Sequence, residues 1–294
     1  MHPRSAILCL LGLTLGSALL AQPRAARWAV TKTAELSQFS VPECVLPTKS
    51  MERKLFVSNI EAEKDQYWTD DGTGFISVIA KDKMKRLRWL RSAPGAKLDG
   101  PKGMCILDDK LYFTDNTRLM CCNVKDGKGL KVVATGFVNA NDLATDGDGI
   151  WVSDSKEGKI WRVAPDGAKR EIPSPPSVNG LTFAKEKMYA VSWDLHEVYE
   201  VFPLGDQIPR PFGLAEHFTN LDGIEVLQDG SFIVSDFKGN KVSAITPDKK
   251  TVYTLVELDS PADIGIDRNT MTLYVPQFFK DKVAIFKLHR ASGR

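Results

Sequence analysis

Beyond residue 21 the chain has no apolar run long enough to cross a bilayer, which argues against stable membrane insertion. It has no N-x-[ST] sequon, so no loop is marked for N-glycosylation. Excess charge of one sign is missing too: the formal net charge is +2, and Lys and Arg nowhere cluster with interleaved aromatics, so a nucleic-acid partner is not expected. The most basic stretch, KDKMKRLRWLR (Lys81 to Arg91), reads as a solvated edge strand. Histidine is scarce, at 4 residues. Cysteine is nearly so, and the spacing of Cys44, Cys105, Cys121 and Cys122 does not match paired C-x-x-C zinc ligands. Buried thiols or one structural bridge both fit these four, and their spacing does not choose a pairing.

The N-terminus reads MHPRSAILCLLGLTLGSALLAQ, with one Arg, an apolar run from Ala6 to about Leu20 and small residues near Ala21. This is the pattern of a secretory signal cleaved after Ala21. A membrane anchor is the other reading, but the run falls short of the roughly 20 apolar residues that a span requires. A signal implies a secreted or periplasmic protein, and removing residues 1–21 takes the formal charge from +2 to +1. The chain is 43% hydrophobic, ample for one large core. Residues 22–294 are expected to form a single domain and a monomer.

Short alternating segments recur: LFVSN to Asn59, LYFTD to Asp115, IWVSD to Asp154, MYAVS to Ser192, SFIVSD to Asp236 and LYVPQ to Gln277. They fall about 40 residues apart, except for a longer first interval, and alternate at period 2 rather than with helical spacing. Six such units predict an all-β, six-bladed propeller with four-stranded antiparallel blades. Residues 22–40 are expected to supply a strand that closes the ring against the C-terminal KVAIFKL. The extra length after Asn59 (IEAEKDQYWTDDGTG) reads as a loop insertion. It carries Tyr67, Trp68, Asp70 and Asp71 and is expected to overhang the central channel as a partial lid, with the turn at Trp193–His196 beside it. Packing of Trp68 between blades is the alternative.

In a propeller the first strand of each blade lines the channel. The residues that open those strands are Glu43, Lys102, Asn141, Asn179, Asp222 and Ala262. Four of them bear side-chain oxygens. Two carboxylates and two amides at one level suit a hard divalent cation, calcium first, since it takes six to eight oxygen ligands. Softer metals prefer Cys or His, and no slot holds either; His196, His217 and His289 fall elsewhere. The competing reading is that Asn179-Gly180 and Asp222-Gly223, built of turn-forming residues, simply start strands. Lys102 pointing inward would repel a cation, and meeting Asp99, binding an anionic substrate group or reaching solvent are its alternatives.

The motifs PECVL, DGTGFISV, APGAKLDGPKGM, NANDLATDGDGIWVSD, VNGLTF, LDGIEVLQDGSFIVSD and PADIGID resemble those of the senescence-marker-protein/gluconolactonase/luciferin-regenerating family of six-bladed propellers. The resemblance spans roughly residues 40–288. It implies that Glu43, Asn141, Asn179 and Asp222 hold a divalent cation, calcium foremost, with zinc, manganese or magnesium as alternatives. It further implies hydrolysis of a lactone or similar ester, with Asp222 also acting as general base. Asp142 would orient a ligand from behind, or merely cap the strand. Sugar-lactonase members carry a basic residue two positions before the first ring Asn, where this chain has Asn139, so a sugar-acid lactone is not favoured. Trp68 and Trp193 are the remaining candidate substrate contacts. The reading from another class is a non-catalytic propeller that binds a small ligand or a protein, its cation structural.

Overall fold

The computed structural model describes residues 27–48 and 54–291; the expected signal segment, residues 1–21, lies outside the described residues. Six antiparallel sheets of four strands form a six-bladed propeller, and helix among the described residues is limited to two 3-10 turns, Ala215–His217 and Phe278–Lys280. The innermost strands are Pro42–Pro47, Pro101–Leu107, Ala140–Thr145, Val178–Ala184, Leu221–Val226 and Gly265–Asp267. The basic segment is indeed an edge: Lys83–Arg91 is the outermost strand of the first blade.

The second strand of each blade is sandwiched between neighbours, and its period-2 alternation feeds two interblade layers. Phe56 packs with Leu111, Phe113 and Met120 of the second blade. Its chain neighbours Leu55 and Val57 face the other way, onto Tyr274, Val283 and Ile285 of the sixth. That last layer exists because the ring closes with strands from both ends of the chain. Trp28–Leu36 pairs antiparallel with Lys282–Arg290, Trp28 opposite Arg290 and Leu36 opposite Val283, as the sequence leads one to expect.

One irregularity repeats. Pairing of the first and second strands slips between Pro42 and Val45, Pro101 and Met104, Ala140 and Leu143, Val178 and Leu181, and Leu221 and Ile224. At each slip two residues oppose one, a β-bulge that frees the first from the ladder and re-aims its side chain. Glu43, Lys102, Asn141, Asn179 and Asp222 are those first residues. The serine opposite accepts the second residue's N–H: Cys44 to Ser58 Oγ at 2.9 Å, Asp142 to Ser153 Oγ at 2.9 Å, Gly223 to Ser235 Oγ at 2.8 Å. The acid that ends the second strand accepts N–H groups of the approaching segment. Asp115 takes those of Asp99 and Gly100, Asp154 those of Val138 and Asn139, and Asp236 those of Thr219 and Asn220. The recurring Ser-Asp endings are therefore bulge clamps.

Asn179-Gly180 and Asp222-Gly223 do start strands, as the second and third residues of Val178–Ala184 and Leu221–Val226, and neither glycine has positive φ. The glycines admit the adjacent blade: a Cβ on Gly180 would stand 2.3 Å from the Asp222 carbonyl oxygen, and one on Gly223 2.6 Å from Asp263 Oδ1.

The side chain of Asp236 is wholly buried and also accepts the Gly239 N–H. Asp236→Ala strands these donors and is expected to lower unfolding free energy by about 3 kcal/mol. Urea unfolding measures this, and a change within about 0.5 kcal/mol would contradict the clamp.

Candidate functional site

The bulges aim their side chains into one cavity of about 530 Å³ on the channel axis. Its lining includes Glu43, Lys102, Asn141, Asn179 and Asp222, all buried. Asn141 Nδ2 donates to Asn179 Oδ1 at 2.6 Å, and Asn179 in turn hydrogen-bonds the Asp222 carboxylate. Glu43 lines the cavity, and its Oε2 is buried without a hydrogen-bond partner among the described residues, an acceptor left unsatisfied. Among the described residues no group of three or more His, Cys, Asp or Glu side chains is set to hold a metal. The floor quartet contributes only two carboxylates to such a set, and its other oxygens are amides. As a donor set it fits a hard cation: oxygen only, two negative charges, and one acceptor with no partner of its own.

Electrostatics at the axis are strained. Burial, then the neighbouring Asp222, hold the Glu43 carboxyl well above the ordinary range, with the Lys102 charge opposing. Burial and Asp142 push Asp222 up to about 7, while the Asn179 hydrogen bond pulls it down. Asp142 also rises to about 7 through burial, although its oxygens accept the Leu181 and Leu143 N–H groups, each at 2.6 Å. The Leu181 bond ties the third blade to the fourth; Asp142 does not line the cavity. Asp263 is a fourth axial carboxylate, held well above the usual range by burial, Asp142 and Glu43. It has the same place in the sixth blade as Asp142 in the third, beside the chosen slot Ala262. Aligning NDLA with ADIG would have revealed it.

Lys102 turns back rather than reaching Asp99, which pairs with Arg118 instead. Lys102 Nζ donates to Gly100 O at 2.9 Å and to Asn116 Oδ1 at 2.8 Å, and lies 3.9 Å from the centre of the Trp68 ring. Burial lowers it to about 8 despite the attraction of Glu43, Asp115 and Asp70. Asn116 Nδ2 donates to Thr69 O and Asp70 Oδ1, at 3.1 and 2.8 Å, so Lys102 and Asn116 together fasten the insertion over the cavity. Tyr67 and Trp68 line that cavity, which places the loop as an overhang and Trp68 at the mouth rather than between blades.

A second row of residues escaped the sequence reading, apart from Trp193. The residue that follows each second strand returns to the same face: Ile60, Ser155, Trp193, Phe237 and Phe278 all line the cavity, and Asn116 holds Lys102. Asn139 also lines it. His196, His217 and His289 do not. All four described cysteines are buried free thiols, so the structural bridge is not formed. No helix among the described residues is long and apolar enough to cross a membrane.

No protein-family model matches the chain, and no curated protein does. Solved structures with the same fold include the PQQ-bound aldose sugar dehydrogenase of Streptomyces coelicolor, at 15% identity, covering 90% of this chain and 99% of that one with a TM-score of 0.68. A Bacteroides thetaiotaomicron protein of unknown function matches at 14% identity over 90% of this chain and 76% of its own, with a TM-score of 0.64. A catalytically inactive virginiamycin B lyase of Staphylococcus aureus, bound to quinupristin, matches at 14% identity over 89% and 99%, with a TM-score of 0.60. Likeness at this level is one of fold.

Glu43, Asp142, Asp222 and Asp263 all bind protons more tightly folded than unfolded. The stability these four contribute is therefore greatest below the unfolded carboxylate range and is lost as pH rises from about 4 through about 7. Chelator-treated protein is expected to melt lower at pH 7.5 than at pH 5, and calcium to restore more at pH 7.5. Thermal scans at both pH values check this; a calcium-independent melting temperature that rises with pH would contradict it.

Proposed function

We propose that the protein is an exported, divalent-cation-dependent hydrolase of lactones or related esters, of the kind that the gluconolactonase-like motifs imply. The observation that supports this most strongly is the meeting of Glu43, Asn141, Asn179 and Asp222, from four blades, at one cavity floor where Glu43 Oε2 lacks a protein partner. These four residues would hold the cation, calcium by preference, which when bound polarises a carbonyl and favours the build-up of negative charge on its oxygen.

The chain's own residues carry the rest of the chemistry. The amide chain from Asn141 through Asn179 orients the Asp222 carboxylate. Burial and the Asp142 charge raise its proton affinity, opposing the lowering that a bound cation would bring, and Asp222 is the group assigned to take a proton from a water held in the cavity. Lys102, fixed by Gly100 and Asn116, offsets part of the negative charge of the floor and stays out of the cation's place. Trp68 shields that lysine and narrows the mouth, limiting access of bulk water.

The test is metal analysis together with lactone hydrolysis on residues 22–294, wild type beside Asp222→Ala. Wild type is expected to carry a divalent cation and to turn over lactones, and the variant to lose the cation and roughly a thousandfold in rate. Bound cation without turnover across lactones and aryl esters would replace this proposal with the non-catalytic binding propeller.

A further inference from the structure

We infer that the substrate of this site is an amphiphilic lactone or ester whose apolar arm, an aryl group or alkyl chain, lies on an aromatic wall while its polar side faces Ser155. The inference rests on the hydrolase reading and adds the substrate class to it.

The wall is built from three blade ends and the lid. Trp193 meets Phe237 at 5.4 Å between ring centres, Phe237 meets Phe278 and Phe279 at 5.4 Å each, and Phe278 meets Tyr67 at 5.0 Å. The Phe237, Phe278, Phe279 and Tyr67 contacts just named are edge-to-face, with interplanar angles of 74 to 77°. Such a web fixes the rings against one another and leaves an apolar surface rather than one flat platform, with Lys238 Nζ 5.6 Å from the Trp193 ring centre at its edge. Ser260 positions the outer part, its carbonyl accepting the Phe278 N–H and its hydroxyl the Phe279 N–H. Phe279 is 58% exposed, so its ring carries the apolar wall outward to the rim of the cavity.

Across the cavity the lining changes character to Asn139, Ser155 and Lys156. Ser155 lines the cavity, and its enclosed Oγ has no hydrogen-bond partner among the described residues, so a rotation of the hydroxyl would present it to a ligand atom. A ring with hydroxyls on every face would turn some of them onto the wall, where they lose water and gain no acceptor. An alkyl or aryl arm loses only apolar hydration there, which is favourable. A cavity of about 530 Å³ is large enough for a drug-sized molecule of this type.

Calorimetric titration of the calcium-loaded protein with two non-hydrolysable six-membered lactams, one bearing a heptyl chain and one fully hydroxylated, tests the class without requiring turnover. The alkyl lactam is expected to bind at least about tenfold more tightly. Phe279→Ser is expected to weaken it by about fivefold and leave the hydroxylated lactam unchanged. Equal or tighter binding of the hydroxylated lactam overturns the substrate class while leaving hydrolysis open. Preference for the alkyl lactam in a protein that fails to hydrolyse the matching lactone supports the class and overturns the hydrolase reading. Binding of neither lactam overturns both.

Discussion

The β-bulge at the start of five innermost strands is the constraint on which the rest depends. In a regular ladder Glu43, Asn141, Asn179 and Asp222 would alternate into and out of their blades with their neighbours. The bulge releases each of them, and for Glu43, Asn141 and Asp222 the second strand's Ser, with the Asn or Asp that follows it, holds the released backbone still. Precision at the axis thus comes from buried hydrogen bonds within each blade, and the apolar layers between blades set only how far apart the blades stand.

The same arrangement concentrates charge. Glu43, Asp142, Asp222 and Asp263 crowd a buried axis with Lys102 as the nearby cation, and burial raises all four carboxyls. A fold that needed only a filled channel could place apolar side chains there, as the sixth blade does with Ala262. Retaining unpaired acceptors at such a place carries a cost that a bound cation would remove. Function and instability are then two faces of one feature, with the lid fastened by Lys102 and Asn116 as its cover.

Much of this was legible in the sequence, for a physical reason. Blades repeat, so Ser-Asp endings recur at a fixed period, and the bulge residues stand out as polar groups in front of apolar strands. Ring closure by the N-terminal strand followed from the need to leave no free edge. Other features were hidden because they occupy a neighbouring position in the same repeat. Asp263 takes the second bulge position rather than the first, and the innermost strand of its blade begins only at Gly265. Ser155, Phe237 and Phe278 each come one residue after a visible ending, so the row could be read once the return of the second strand to the axial face is taken seriously. The bonds that turn Lys102 toward Asn116 join separate strands and have no signature along the chain. Asn179-Gly180 and Asp222-Gly223 imitate turns in one dimension because an interblade contact selects the same small residue.

The most direct measurement is anomalous scattering from crystals grown with manganese in place of calcium. The account predicts a single strong peak between Glu43 Oε2, the two amide oxygens and Asp222, at oxygen distances of roughly 2.1 to 2.6 Å. An axis without a peak, with Glu43 Oε2 bonded only to water, would contradict it.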